Sequence, residues 1–489
     1  MSGMESLSYA ARPQVVGKYL GQLLFLLGGF SVPPLLFAAA LGDWPHAAGY
    51  AVAALALITV GWLLQRLSAA DDLQANEALI VVSAIFICAP LAMALPMMTK
   101  GMGVLDALFE AVSGITTTGL STFARIEDKP LSVVFAAAWL QWLGGIGIIV
   151  LSFALLVGQS ASAKRLTGIL AQPQGVWGGT RAYAKVIIRI YVALTVIGIV
   201  ALWLAGTPWF SAVTLALSAV STGGFSPFDS SLGGLSATIQ TVVILLCLAG
   251  AASIPLFYDL WRGRWKDVLQ DSELQALLIA GVVVAGVLIV ASAAAAGGGQ
   301  GTWNLIFTAF SAQTTAGFST MNVGELDPFS KVVLVIAMAS GGCVGSSAGG
   351  IKLLRLIVMI RLVQLMILKT RLTPRAATEP RIAGRHWADD ELVAVLTVAG
   401  LFIVVVLLSW LPFLLAGYGP LDALFEVTSA TGTVGLSTGI TGPALSPWLK
   451  ALLCLDMLLG RLEILPILVL LAPRTWIGPR RELQSVQEK

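Results

Sequence analysis

Four short stretches hold the residues on which the chemistry of this chain turns: Thr117-Thr118-Gly119, Thr222-Gly223-Gly224, Thr315-Ala316-Gly317 and Thr433-Val434-Gly435. Each is followed by Leu or Phe and then Ser. None contains a carboxylate, so charge attraction cannot be what would select an ion there. What they offer is oxygen. Glycine reaches the dihedrals that aim successive backbone carbonyls at one axis, and threonine adds a hydroxyl. A ring of such oxygens can replace the hydration shell of a cation without any formal negative charge.

One Thr-x-Gly in an apolar chain signifies little, because small residues are common wherever membrane helices pack closely. Four copies spaced about a hundred residues apart are a repeat. Asp106-Ala107-Leu108-Phe109-Glu110 leads into the first copy and Asp422-Ala423-Leu424-Phe425-Glu426 into the last at the same offset, while Trp209 and Trp303 open the corresponding segments ahead of the other two. These segments of about ten residues are too short to cross a bilayer, so each must enter and return from one side. Irregular backbone at membrane depth is tolerated where it is buried in protein or lines a watery cavity, so four returns imply a shared central path. A half-helix ahead of each loop directs the negative end of its dipole at the centre, with Asp106 and Asp422 complementing the other end. The third positions differ, being Thr118, Gly223, Ala316 and Val434, which a carbonyl filter accommodates when those side chains face away from the axis.

Two further features lie at membrane depth. Gly341, Gly342, Cys343, Gly345, Gly349 and Gly350 interrupt an apolar run that would otherwise form a helix of about 60 Å, twice the hydrocarbon thickness. The stretch from Gly345 to Lys352 approaches a Walker loop, but the lysine is one place late and no Ser or Thr follows it, so the expectation is an intramembrane loop. Arg461 lies roughly 20 Å into the last span, too deep to snorkel easily, and is a candidate gate residue with Glu463 or Asp456 as alternative ion-pair partners. Asp456, Glu110 and Glu426 are expected to be structural partners at helix ends.

The elements that hold these residues follow from composition. The chain is 57% hydrophobic and 11% charged with a mean hydropathy of +0.88, which excludes an ordinary soluble domain. Ten apolar spans are expected: 20–41, 47–64, 78–96, 131–157, 186–205, 237–258, 276–296, 329–368, 392–415 and 448–471. The first is too long for a signal peptide, although Ala38-Ala39-Ala40 resembles a cleavage site. Alternate connections carry most of the Lys and Arg: Arg66; Lys164, Arg165, Arg181, Lys185 and Arg189; Arg262, Arg264 and Lys266; Arg355 through Arg385; and Arg474, Arg480 and Arg481. The others hold only Lys100, Arg125, Lys129, Lys331 and Lys450. The positive-inside rule then places the basic set and both termini in the cytoplasm. The net charge of +3 reflects topology and implies no nucleic-acid partner. Cys88, Cys247, Cys343 and Cys454 have no metal or redox spacing, and His46 and His386 are isolated, so no organic cofactor or enzymatic centre is expected.

These residues resemble the Trk, Ktr and HKT superfamily of potassium transporters. The likeness rests on the four loops, on Gln141-Trp142-Leu143-Gly144-Gly145-Ile146-Gly147, on Gly341 through Lys352, and on Met457-Leu458-Leu459-Gly460-Arg461-Leu462-Glu463. Thr433-Val434-Gly435 also matches the opening of the Thr-Val-Gly-Tyr-Gly potassium filter without its second half. Two extra N-terminal spans make the likeness greatest to the TrkH-type membrane subunits of bacterial Trk systems. The resemblance implies an all-α integral membrane fold of four tandem helix, pore-loop, helix repeats around a pseudo-fourfold pore. The expected division is an N-terminal helix pair at 1–70 and repeats at 71–160, 161–265, 266–385 (with the gating loop) and 386–489. It further implies potassium as the transported ion, a homodimer in the bacterial inner membrane, and a cytosolic nucleotide-binding ring of the TrkA type. A broken-helix secondary transporter, which shows inverted repeats, and a polytopic enzyme are the competing classes.

Overall fold

The computed structural model describes residues 10–69, 73–99, 101–157, 180–294, 301–371, 381–382, 385–387 and 389–478. Lys100, Lys164, Arg165, Arg480 and Arg481, which contributed to the topology expectation, lie outside the described residues.

Seven described helical spans are long and apolar enough to cross a membrane. The first is Pro13–Ala40, made of α1 (Pro13–Phe30) and α2 (Val32–Ala40) with a step at Ser31, and it packs on α3 (Trp44–Gln65). Gly21, Gly28 and Gly61 allow that approach: a Cβ on Gly61 would fall 2.6 Å from the Phe25 backbone nitrogen. Four units follow, each a helix, a short helix with a loop, and a second helix. They are α4 (Ala75–Met98), α5 (Val104–Ile115) and α6 (Leu131–Val157); α7 (Thr180–Leu204), α8 (Trp209–Val220), α9 (Ala237–Ala251) and α10 (Ile254–Trp261); after the short α11 (Trp265–Leu269), α12 (Ser272–Ala294), α13 (Thr302–Gln313), α14 (Pro328–Ser340) and α15 (Leu353–Lys369); and α16 (Asp389–Leu415), α17 (Pro420–Thr431), α18 (Pro447–Arg461) and α19 (Leu465–Leu471), with a final turn α20 (Pro473–Trp476). A two-residue antiparallel pairing, β1 (Arg381–Ile382) with β2 (Arg385–His386), precedes α16.

Polarity is inverted relative to a soluble protein. Outer helices present apolar side chains, as in α12 where Ile279, Val282, Val283 and Val290 are exposed, whereas Thr, Ser, Gln and Glu fill the centre.

Three of the ten expected spans depart from continuous helices. The run 237–258 is bent by 99° between α9 and α10. Ala252 is extended there and Pro255 opens the next helix. The run 448–471 breaks after Arg461, where Glu463 and Ile464 take φ of 56° and 66° and Pro466 restarts the helix. The break between α14 and α15 was expected, whereas those in the second and fourth units correct the expectation of continuous spans at 237–258 and 448–471. Hydropathy misses them because the residues at the breaks are mostly apolar.

Contacts between units run in one direction around the molecule. Lys450 Nζ of α18 donates to Asp106 Oδ1 of α5 at 2.6 Å, and Lys331 Nζ of α14 donates to Asp422 Oδ1 of α17 at 2.7 Å. At the matching place in the second unit, Gln240 of α9 accepts from Trp303 Nε1 of α13. In each case the second helix of one unit grips the short helix of the next.

Candidate ion pathway

The four short helices α5, α8, α13 and α17 are each 12 residues long, about 18 Å, and they end alike. The N–H of Thr118 donates to the Ser113 carbonyl at 2.9 Å and that of Thr117 to Gly114, with the same pair of bonds closing the other three ends. This is the Schellman closure, in which the residue after the C-cap must be left-handed. Here that residue is threonine: Thr117, Thr222, Thr315 and Thr433 have φ of 56°, 53°, 53° and 50°. A β-branched residue in this region is strained, and four at matched positions mark a functional backbone.

Two residues on, the glycines close a ring. A Cβ on Gly119 would lie 2.2 Å from the Gly223 carbonyl oxygen, one on Gly224 2.5 Å from that of Ala316, one on Gly317 2.0 Å from that of Val434, and one on Gly435 2.1 Å from that of Thr118. The order is cyclic, first unit to second, third, fourth and back. All four glycines have positive φ, from 75° to 97°, so both space and dihedral demand glycine. The third positions carry the ring oxygens while their side chains turn outward: Ala316 packs in one apolar cluster with Cys247, and Val434 in another with Met338.

The sequence reading missed residues that hold these loops. A serine stands four places ahead of each left-handed threonine: Ser113, Ser218, Ser311 and Ser429, all fully buried. Ser113 Oγ donates to the Leu120 carbonyl and Ser311 Oγ to that of Phe318, each at 2.6 Å, while Ser429 Oγ accepts from the Gly435 N–H at 3.0 Å. Their common offset in all four copies was the available signal. Glu110 and Glu426 lie in mid-helix, correcting the expectation of helix ends, and brace the outer half of their loops. Glu110 accepts from Ser121 Oγ and from the N–H and hydroxyl of Thr122; Glu426 accepts from Ser437 Oγ and the N–H groups of Thr438 and Thr441. Asp456 accepts from Ser409 Oγ at 2.6 Å.

Above the ring opens a vestibule of about 560 Å3 that Gly119, Gly224, Gly317 and Gly435 all line, with Ser226, Ser319, Asn322 and Ser437 around them. At its rim Asp229 accepts from Arg125 Nε at 3.0 Å and from the N–H groups of Ile126 and Glu127. The hydrogen bond from Arg125 holds the Asp229 carboxyl below its usual range.

Below the ring the path meets the segment from Gly341 to Lys352. The Gly349 N–H donates to Thr315 Oγ1 at 2.8 Å, a Cβ on Gly349 would lie 2.2 Å from Thr433 Oγ1, and the Thr222 and Ser347 hydroxyls are 3.3 Å apart. The segment thus touches three of the four left-handed threonines. Thr117 and Thr433 keep buried hydroxyls with no hydrogen-bond partner among the described residues. The segment is fastened to the break in the second unit by Cys343 N–H to the Ala251 carbonyl, Ser347 N–H to that of Gly250, and Ile254 N–H to that of Gly345. Arg461, 3% exposed, donates from Nη1 to the Ser347 carbonyl at 2.6 Å and from Nη2 to that of Gly144 at 3.0 Å. It pairs with neither acid that was its alternative, since Glu463 is taken by Arg355 and Asp456 by Ser409.

A family model described as TrkH, a cation transport protein, matches residues 49–278 and 274–476. The Trk system potassium uptake protein TrkH of Halomonas elongata is 31% identical over 95% of this chain and 99% of its own length, and that of Salmonella typhimurium is 29% identical over the same shares. An uncharacterized cation transporter of Methanocaldococcus jannaschii is 26% identical over 93% of this chain and 94% of its own. Among solved structures, the crystal structure of the potassium transporter TrkH from Vibrio parahaemolyticus superimposes with a TM-score of 0.83 at 26% identity, covering 96% of this chain and 100% of that one.

Proposed function

Because this chain belongs to the TrkH family of cation transport proteins, we propose that it is a potassium uptake pore, one per chain, whose filter is the ring built on Thr117, Thr118, Gly119, Thr222, Gly223, Gly224, Thr315, Ala316, Gly317, Thr433, Val434 and Gly435. The observation that carries this reading is the cyclic approach of each glycine to the third-position carbonyl of the next unit, which assembles four oxygens with no carboxylate among them. Uncharged carbonyls suit a large, weakly hydrated monovalent cation better than a small or divalent one. The four helix ends add partial negative charge behind the ring.

The segment carrying Gly341, Gly342, Cys343, Gly345, Gly349 and Gly350 acts as the gate, with Arg461 its latch. In the present state a guanidinium stands under the filter, and its charge opposes a cation leaving the ring. Opening withdraws the segment from the three threonines it touches. The working assembly is a homodimer in the bacterial inner membrane with both termini cytoplasmic, controlled by a TrkA-type ring; this follows the family resemblance and the positive-inside pattern, the relatives being named only as potassium uptake proteins of a Trk system. In the chain itself the four tandem repeats follow the 1–70 helix pair at 71–160, 161–265, 266–385 and 386–489.

The test is flux in liposomes containing the purified chain. Potassium should pass in preference to sodium, down its own gradient and in proportion to it. Equal passage of both ions, or none under any gradient with the Arg461→Ala variant, removes the reading.

A further inference from the structure

The ring is fourfold in backbone but not in what stands behind it. Gly223 backs onto the second helix of the preceding unit, and Ala316 and Val434 cluster with theirs, at a place three residues ahead of the glycine that seats that helix against its own short helix. A Cβ on Gly144, Gly250 or Gly460 would fall 1.9, 2.4 or 1.8 Å from the carbonyl oxygen of Ile115, Val220 or Thr431 respectively. Three residues ahead stand Gln141, Cys247 and Met457, and Met338 holds the same place in α14. All four are buried, and three are apolar.

Gln141 is different in kind. Its Oε1 accepts from Ser218 Oγ at 2.6 Å and from the Phe225 N–H at 3.2 Å, and its Nε2 donates to the Gly223 carbonyl. The Phe225 N–H can only donate, so it fixes which end of the amide is oxygen. The NH2 end must then face Gly223. That carbonyl is one of the four oxygens of the ring. Gly223 is glycine for the complementary reason: a Cβ there would lie 2.4 Å from Gln141 Cδ and 2.5 Å from its Oε1, atoms held by three hydrogen bonds.

We propose that Gln141 is a specificity-determining positioning residue, whose amide donates to one filter carbonyl and so lowers the field strength of the ring. A carbonyl that already accepts a hydrogen bond has less charge to give a cation and less freedom to close on a small one. The loss weighs most against sodium, whose dehydration demands the strongest and closest oxygens. Among the described residues, one ring carbonyl is held from behind and the other three accept no hydrogen bond.

This rests on the reading of the ring as a potassium filter, and one experiment separates the two. The parent and the double variant Gln141→Cys with Gly223→Ala, which gives the second unit the Cys247 and Ala316 pairing of the third, are reconstituted and their sodium-to-potassium permeability ratios measured from reversal potentials. Gly223→Ala alone should lose flux, since its methyl collides with the amide. The double variant should regain flux with a sodium ratio raised about three- to tenfold. A double variant that conducts with the parent's ratio overturns the proposal, and so does one that folds normally yet fails to conduct, because the two pairings would then not be interchangeable. If it does not fold, Gln141→Glu decides by the same measurement. That variant keeps the volume and the acceptors for Ser218 and Phe225, donates only while protonated, and loses the donor once ionised; a ratio that stays at the parent's value from acid to alkaline pH refutes the donor role. A parent that fails to prefer potassium refutes the filter reading instead.

Discussion

Replacing Gly119 with alanine tests the filter at one atom. Its φ of +87° costs an alanine about 1–2 kcal/mol, since the left-handed region brings Cβ against its own backbone. The new methyl would also fall 2.2 Å from the Gly223 carbonyl oxygen and 3.3 Å from the Gly224 Cα. Relieving the first contact needs a shift of about 1 Å, an overpacking cost of about 1–3 kcal/mol. The total of about 2–5 kcal/mol is small enough for the fold to survive. The strain falls on the ring, whose glycines border the vestibule. If only about 1.4 kcal/mol of it falls on the difference between potassium and sodium binding, the preference drops tenfold. The assay is the permeability ratio in liposomes, with two controls. Gly147→Ala, whose Cβ meets nothing within 4 Å, should behave as the parent. Gly144→Ala, whose Cβ would lie 1.9 Å from the Ile115 carbonyl oxygen outside the ring, should lower stability more than selectivity. Gly119→Ala at normal expression with an unchanged ratio would refute the ring geometry as the source of selectivity.

Arg461→Ala removes the donor to the Ser347 carbonyl, a hydrogen bond from a charged group worth about 1.5–3 kcal/mol; flux without a regulatory partner should rise tenfold or more with the permeability ratio kept, and an unchanged rate would leave this arginine with a packing role only. Lys450→Ala leaves Asp106 without its partner across the seam between the fourth and first units, and melting in detergent should show a loss of about 1–3 kcal/mol, between exposed and buried pairs. Asp229→Asn should lower the melting temperature at neutral pH. Because the folded pKa of Asp229 is depressed, its contribution is present above the ordinary carboxylate value and disappears as pH falls through the depressed one, so the two melting curves should converge only in acid.

The loops and their glycines were legible because a repeat amplifies a weak motif: one Thr-x-Gly is noise, whereas four at one register are not. The depth of Arg461 was legible from its distance along an apolar run, and its partners were not, because Ser347 and Gly144 offer backbone carbonyls that any residue could supply. Hydropathy counted spans but could not see where two of them break, since Ala252, Ile464 and the prolines that follow keep the runs apolar. Gln141 was in view as part of a family signature, yet its role depends on Gly223, 82 residues away, and on which end of an amide faces it. Such facts are tertiary. The serine ring, by contrast, was readable from spacing and was overlooked because serine is unremarkable in a membrane helix.

The breaks are where the four units part company, and their placement bears on how the proposed gate is held shut yet opens reversibly. In the first unit α6 runs through unbroken from Leu131, so the Gly144 carbonyl it presents to Arg461 is a fixed point. The break in the second unit offers Gly250, Ala251 and Ile254 to the segment below the filter, the third unit supplies that segment, and the fourth unit's break follows Arg461 directly. Moving the segment gives up three backbone hydrogen bonds to the second unit, each worth about 0.5–1.5 kcal/mol net, together with the Arg461 contact. Those four bonds alone come to about 3–7.5 kcal/mol with the charged one at 1.5–3, the scale of the roughly 5.5 kcal/mol that converts a 1:99 equilibrium into 99:1, and the bonds to Thr315 and Glu273 add to it. On the proposed reading, a regulatory partner that binds the open state more tightly offsets part of that difference, and the ring above, held by its own serines and glutamates, need not move.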